Sequence, residues 1–372
     1  MHEYKATWHK SISDILPSQW NNVYPENEIL KSYNFIKAVE YSNLSGVEYT
    51  YLVITDNELC VSILPCFVYR LDLALLTGKE VKNIINWVRR IFSGFLYQKN
   101  FFIGTPVSVC NHIIGLRQSI DETQRKDIVS IINTETKKKY KEYKCTLLIV
   151  KEIPANERSY FDSIFTDGFY TANSLPNTYL PVLTELSRFP EFIRSRYKKN
   201  INRKIRAFSK SQLQWEQINN FSNIKDKLSE LYYNVYNKSD NKFELIESEF
   251  FSQISENLPE CSFVFVAKNK QELIVAMILF LFDEDSLIPL YLGIDYDKTE
   301  DSEIYFNCIY KIIEVAEQRK FKWIKLGQTS YKAKAYSGAL FEKLFIYAYT
   351  DSLLYKILLK YFSNVVFPIS SI

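Results

Sequence analysis

The run Ile324-Lys325-Leu326-Gly327-Gln328-Thr329-Ser330-Tyr331-Lys332-Ala333-Lys334 gathers an amide, two hydroxyls, a phenol and two ammonium groups between Gln328 and Lys334. It reads as a buried strand ending at Gly327 and opening into a polar, lysine-bearing loop. Strand ends of this kind are where α/β proteins hold ligands, because the strand fixes a position and the loop supplies hydrogen-bonding groups. Other chemistries have little to work with. The three histidines are His2, His9 and His112, two near the N-terminus and one in an apolar segment, so no zinc site and no histidine-based triad is expected. The six cysteines (Cys60, Cys66, Cys110, Cys145, Cys261, Cys308) form no Cys-x-x-Cys pair and sit mostly in apolar runs. They read as reduced core residues, with no disulfide frame and no metal site.

A chain of 372 residues is long enough for two domains. Its net charge of +3 gives no strong global field towards nucleic acid or membrane. Residues 1–11 carry no apolar signal core, and no run of about 18 uncharged apolar residues predicts a membrane span. A cytoplasmic location is the expectation.

The elements that must position the loop occur in duplicate. A helix over 30–41, strands over 49–55 and 59–69, a helix over 121–139 and a strand over 144–150 are matched in order. Their counterparts are a helix over 247–257, strands over 262–267 and 273–282, a helix over 301–319 and a strand over 321–326. β-branched and aromatic strands joined by polar turns, and apolar residues at helical spacing (Ile304, Cys308, Ile309, Ile312, Ile313, Ala316), carry these assignments. Asp301 or Ser302 is expected to cap the later helix. A further helix is expected around 81–92. The fold predicted is α/β with mixed sheets, in two domains, 1–180 and 181–372.

Between the copies, residues 188–210 place Phe189, Phe192, Ile193, Tyr197, Ile201, Ile205 and Phe208 on one stripe. Nine cations stand around that stripe against the single acid Glu191, a net of +8, so the rest of the chain carries −5. Such a helix, with Lys199 and Arg203 on it, is a solvated connector, a phosphate-binding face or a membrane-touching face. A last amphipathic helix, over 352–362, is expected to pack on the second domain.

The stretch 198–206, the segment Tyr291-Leu292-Gly293-Ile294-Asp295 with the helix start Tyr305-Phe306-Asn307, and the run Leu326–Lys334 with Gly338-Ala339 resemble the Fem-like branch of the GNAT acyltransferase superfamily. These are bacterial proteins of tandem GNAT-like domains labelled peptidoglycan biosynthesis or recognition. The likeness covers about 188–347 and implies a second domain entered through the basic helix. The loop after 321–326 has no equivalent after the matching strand 144–150, where Lys151-Glu152-Ile153-Pro154 follows, and that asymmetry assigns the active site to the second domain. The first domain then has a structural or acceptor-binding part. The likeness also implies transfer of an acyl or aminoacyl group to an amine. The donor would be a thioester co-substrate, acyl-CoA or an acyl-carrier protein, with no bound cofactor, and the acceptor a small-molecule or peptide amine. The Arg/Gln-x-x-Gly-x-Gly/Ala loop that grips the CoA pyrophosphate in ordinary GNAT enzymes is absent, which leaves acetyl-CoA in doubt.

Aminolysis requires alignment of amine and carbonyl, removal of a proton and stabilisation of an oxyanion. In that light Asp295 is the candidate base, Tyr331 the donor to the oxyanion or leaving thiol, and Lys334 and Lys332 cations for a phosphate or carboxylate. Gln328, Thr329 and Ser330, with Tyr305 and Asn307, are candidates for holding a peptide-like acceptor or a pantetheine amide, and Lys199 and Arg203 for the donor's phosphate. Each has a plainer reading: a turn acid for Asp295, a core-edge aromatic for Tyr331, solvated lysines, turn-capping polar groups. Two other functions stay open. One is an aminoacyl-tRNA-dependent transferase acting on a cell-wall precursor, disfavoured by the lack of a heptad-patterned arm. The other is a non-catalytic binding protein with a decayed site.

Overall fold

The computed structural model describes residues 2–24, 27–72, 87–90, 97–165, 168–182, 195–239, 245–299, 302–328 and 330–366. In the first half, strand β1 (Tyr4–His9) leads through helices α1 (Pro17–Asn21) and α2 (Tyr33–Tyr41) to β2 (Val47–Asp56), β3 (Leu59–Asp72), β4 (Tyr97–Ile103) and the short β5 (Gly115–Leu116). Helix α3 (Glu122–Glu142), capped by Asp121 accepting from the Thr123 and Gln124 N–H groups, returns the chain to β6 (Leu147–Pro154). Helix α4 (Arg158–Ile164), β7 (Phe169–Asn173), β8 (Asn177–Pro181) and α5 (Ser195–Lys210) lead into the second half.

The second half repeats the plan. Strand β9 (Gln214–Ile218) leads through α6 (Lys225–Lys238) and α7 (Ser248–Asn257) to β10 (Ser262–Lys268), β11 (Ile274–Phe282) and β12 (Ser286–Ile294). Helix α8 (Ile304–Gln318) leads to β13 (Trp323–Lys325), followed by α9 (Tyr331–Tyr336), β14 (Leu340–Glu342), β15 (Leu344–Tyr349) and α10 (Leu353–Val366). Strands β1-β2-β3-β4-β6 and β9-β10-β11-β12-β13 share one topology: three antiparallel pairings and then a parallel one across a helix. The predicted mixed-sheet duplication is therefore present in the strand order itself.

The sheets do not divide between residues 180 and 181. Strand β15, from late in the chain, enters the first sheet between β6 and β7, while β8 enters the second between β13 and β14. One apolar core joins the halves where α2 meets α7, with Phe35, Ile36 and Val39 in one cluster with Phe250, Phe251 and Ile254. In the first half, Ile128 and Ile132 of α3 share a core with Leu148 and Val150. The second sheet packs α8 through Cys308, Ile309, Ile312 and Ala316, the periodic face read from the sequence.

Several local expectations are corrected. Asp301 lies outside the described residues, the Ser302 hydroxyl donates to the Thr299 carbonyl, and the N-cap position of α8 is Glu303 in a left-handed conformation (φ 52°). Helix α10 packs on the first sheet rather than the second, against both predicted domains: Leu359 joins Leu147 and Ile149 of 1–180 and Ala348 of 181–372, and Tyr355 meets Gln98. Of the helix expected over 81–92, only residues 87–90 are described. Residues 188–194 of the basic segment likewise lie outside the described residues, and α5 covers the remainder.

Candidate active site

A cavity of about 1340 Å³ opens between the two halves. Its first wall is a sheet face carrying Phe67, Phe102 and Ile149, with Lys151 and Glu152 towards the end of β6. Its second is built from α6, β12 and the end of β13. The second wall exists because two parallel strands part. β12 and β13 pair only at Ser286 with Trp323 and Leu287 with Ile324. From Ile288 to Ile294 the β12 edge facing β13 has no strand partner among the described residues. A bulge at Leu290 adds local twist, since Pro289 pairs with Phe280 and Tyr291 with Leu279. Gly293 brings α6 down onto this strand: a Cβ there would lie 2.7 Å from Leu231 Cβ and 2.8 Å from Tyr232 N.

The loop after β13 is held from below. Lys334, in the first turn of α9 and buried, donates from Nζ to the carbonyls of Leu326 (2.7 Å), Gly327 (3.1 Å) and Gln328 (2.7 Å). Burial pushes its pKa down to about 7. The three carbonyls oppose that shift, because only the ammonium form has three N–H bonds to give. Backbone bonds tie the same loop to β8: Leu326 N–H donates to the Thr178 carbonyl (2.8 Å), and Thr178 N–H to the Gly327 carbonyl (3.1 Å). The Gln328 amide spans the cleft wall. Its Nε2 donates to the Leu175 carbonyl (2.9 Å), and its Oε1 lies 3.4 Å from Ser108 Oγ, whose one proton goes to Glu152.

On the first-half side, Glu152 is buried with φ 60°. Lys151 and Glu152 stand opposite the single residue Ile346 of β15, a bulge that re-aims the carboxylate. Glu152 accepts from Ser108 Oγ (2.6 Å) and from the N–H groups of Val109 (3.2 Å) and Cys110 (3.0 Å). Lys151 Nζ lies 4.0 Å from it and donates to the Thr105 carbonyl (2.8 Å). The Cys110 thiol also lines the cleft, but burial and then the Glu152 charge push it up to about 12. It is a protonated wall residue rather than a nucleophile.

The residues expected to act together separate into two groups. Gln328, Ser330, Tyr305 and Lys334 line the cleft. Burial raises the Tyr305 phenol above its ordinary value, and a hydrogen bond with Ser330 works against that shift. Lys334 does not offer its charge to a ligand, because its donors are taken by the loop. Tyr331 turns away: its hydroxyl donates to the Pro176 carbonyl (3.0 Å), securing the approach to β8. Lys332 is exposed and off the cleft. Asp295 sits in the turn after β12, accepting from Lys298 N (3.2 Å) and Lys298 Nζ (2.8 Å). Burial pulls its pKa up, but the Lys298 bonds outweigh it and the carboxyl titrates below its ordinary value. It is a turn acid and does not line the cleft. Asn307 ties α8 to α5 by donating to the Lys204 carbonyl (3.1 Å), and Arg203 donates to Glu303 (2.9 Å). The Lys199 side chain and Thr329 lie outside the described residues.

Glu152, Ser108 and Lys151 went unread in the sequence. The signal was a charged pair, Lys151-Glu152, interrupting an otherwise apolar strand between Val150 and Ile153. Among the described residues no cluster of His, Cys, Asp and Glu could hold a metal ion, and no helix is long and apolar enough to cross a membrane.

A family model described as FemAB-like, peptidoglycan biosynthesis/recognition, matches residues 122–361. The chain belongs to the FemAB-like family. The matched span includes both β6 with its bulge and the loop gathered by Lys334. The crystal structure of FemX superposes with a TM-score of 0.54 at 9% identity, covering 95% of this chain and all of FemX. The C-terminal domain of a putative lysylphosphatidylglycerol synthetase from Agrobacterium fabrum gives 0.54 at 8% identity, over 96% of this chain and 98% of that domain. A conserved protein of unknown function from Bacteroides thetaiotaomicron gives 0.54 at 10% identity, over 94% and 100%. At these identities the likeness is one of fold. No curated protein sequence matches the chain. The FemAB-like assignment and the duplicated strand order together give a tandem architecture of two mixed α/β sheets.

Proposed function

We propose that this FemAB-like protein transfers an acyl group from a thioester donor to an amine acceptor in the cleft between its halves. The observation that carries the reading is the parting of β12 from β13. It leaves a strand edge, Ile288 to Ile294, open beside a polar loop. An extended, amide-bearing chain such as a pantetheine arm or a peptide can pair with such an edge as an added strand. In the reaction the amine nitrogen bonds to the carbonyl carbon and the carbonyl π pair moves onto oxygen. The nitrogen loses a proton, the oxygen reforms its double bond, and the C–S bond breaks to release the thiol, which takes up a proton.

Glu152 is the proposed proton acceptor. It accepts from the Ser108 hydroxyl, whose oxygen stands 3.4 Å from the Gln328 amide oxygen at the loop. Three donors hold its carboxylate in place at the cleft. A carboxylate so placed can take the N–H proton of the tetrahedral adduct. The donor is proposed to be carried on a protein rather than on CoA. At the start of α8, where a pyrophosphate would need backbone N–H groups, stands the Glu303 carboxylate, 2.9 Å from Arg203 and 3.6 Å from Lys204. A second reading keeps the cleft and replaces the thioester with the ester of an aminoacyl-tRNA acting towards a cell-wall precursor. The family's description favours it.

Incubation of the protein with separate acyl-carrier, acyl-CoA and aminoacyl-tRNA pools and a peptide amine, read by mass spectrometry, decides between them. A product with acyl-carrier donor alone supports the first reading. A product with tRNA alone replaces it with the second, and no product together with no donor binding by calorimetry rejects both.

A further inference from the structure

Lys334 makes an unusual choice of partners. Its ammonium faces three successive carbonyls, those of Leu326, Gly327 and Gln328. No peptide bond in the described chain is cis. In a trans peptide the N–H points opposite to the C=O of the same unit. The N–H groups of Gly327 and Gln328 therefore point away from Lys334. Neither has an acceptor among the described residues, although Leu326 N–H, one residue earlier, is bonded to Thr178. Both residues line the cleft, and a Cβ placed on Gly327 (φ 71°) would meet nothing within 4 Å.

We infer that Lys334 is a positioning residue, which draws the loop's carbonyls inward so that the Gly327 and Gln328 N–H groups face the cleft as a paired donor site for an oxyanion. Backbone N–H groups fixed in advance are the strongest form of such a site, because nothing has to reorganise when charge develops on the oxygen. The ligand class is a carbonyl oxygen becoming anionic, or a tetrahedral anion that mimics it. Thr178 and Gln328 brace the arrangement from β8 and from Leu175. This assignment rests on the acyl-transfer reading for its biological use but not for its detection.

The chain has nine glycines, so ¹⁵N-glycine labelling gives a sparse spectrum in which the G327A variant identifies the Gly327 amide. Titration with methylphosphonate is expected to shift that amide saturably in the natural protein and to leave it unmoved in K334M. An unresponsive Gly327 in the natural protein overturns the inference, as does a full response in a folded K334M. Should K334M fail to fold, the deciding variant replaces the Gly327 amide by an ester in the otherwise natural chain. Loss of the N–H is expected to lower kcat about 10²- to 10³-fold with KM little changed. Unchanged phosphonate binding and turnover in the ester variant also overturn the inference. The amide shift needs no turnover. A responsive Gly327 without acyl transfer rejects the proposed reaction alone, and acyl transfer with a silent Gly327 rejects the oxyanion site alone.

Discussion

At the scale of single residues, the cleft depends on two buried charges that are fully occupied by the protein. Glu152 is expected to tolerate E152Q structurally, since the amide oxygen can still accept from Val109 or Cys110. The variant removes the proton acceptor, and kcat should fall about 10²- to 10⁴-fold. Turnover within twofold of the natural protein would take Glu152 out of the reaction. Lys334 gives a sharper test because its two effects have opposite signs. Burial holds its folded-state pKa at about 7, against an ordinary 10.5. Between those values the unfolded chain binds a proton that the folded chain does not, so this group's contribution to stability rises with pH across the window and is level outside it. The loop behaves the other way, because the neutral amine has only two N–H bonds for three carbonyls. Thermal denaturation and kcat measured from about pH 6 to about pH 10 should slope in opposite directions; parallel slopes would remove Lys334 from its positioning role. None of this was legible in the run Ile324–Lys334. The sequence shows that a lysine follows the loop, but only the six-residue helix α9 determines that its ammonium returns beneath it.

At the scale of elements, the open edge of β12 is kept in place by close packing. Helix α6 lies so near this strand that Gly293 admits no side chain without displacing Leu231 and Tyr232 backbone. G293A is expected to cost about 1–3 kcal/mol by overpacking and to impair binding in the cleft, since Tyr232 and Tyr236 of α6 line it. Denaturant unfolding beside donor affinity checks this, and an unchanged midpoint would mean that α6 can shift freely. Hairpins and helices were readable because alternation and helical spacing are local properties. The bulge at Lys151–Glu152 was not, because it arises from pairing with Ile346, almost two hundred positions away (346 against 152). That is why 150–154 reads from sequence as a strand simply ending.

At the scale of the whole molecule, the two copies exchange strands. β8 completes the second sheet and β15 the first. The segments 169–181 and 340–349 gave no strand signal that could name a partner, since register between distant strands is not written in local pattern. A chain cut between 181 and 195 is therefore expected to leave residues 1–181 without the strand that joins β6 to β7. That fragment should be poorly folded by circular dichroism alone and should recover when the remainder is supplied in trans. Independent folding of 1–181 would contradict the exchange. The same two crossings have a mechanical consequence. Each half is stitched to the other by a strand running each way, so the molecule cannot yawn open about a single hinge to admit a substrate. The width of the cleft is thereby set when the two sheets close on each other's strands.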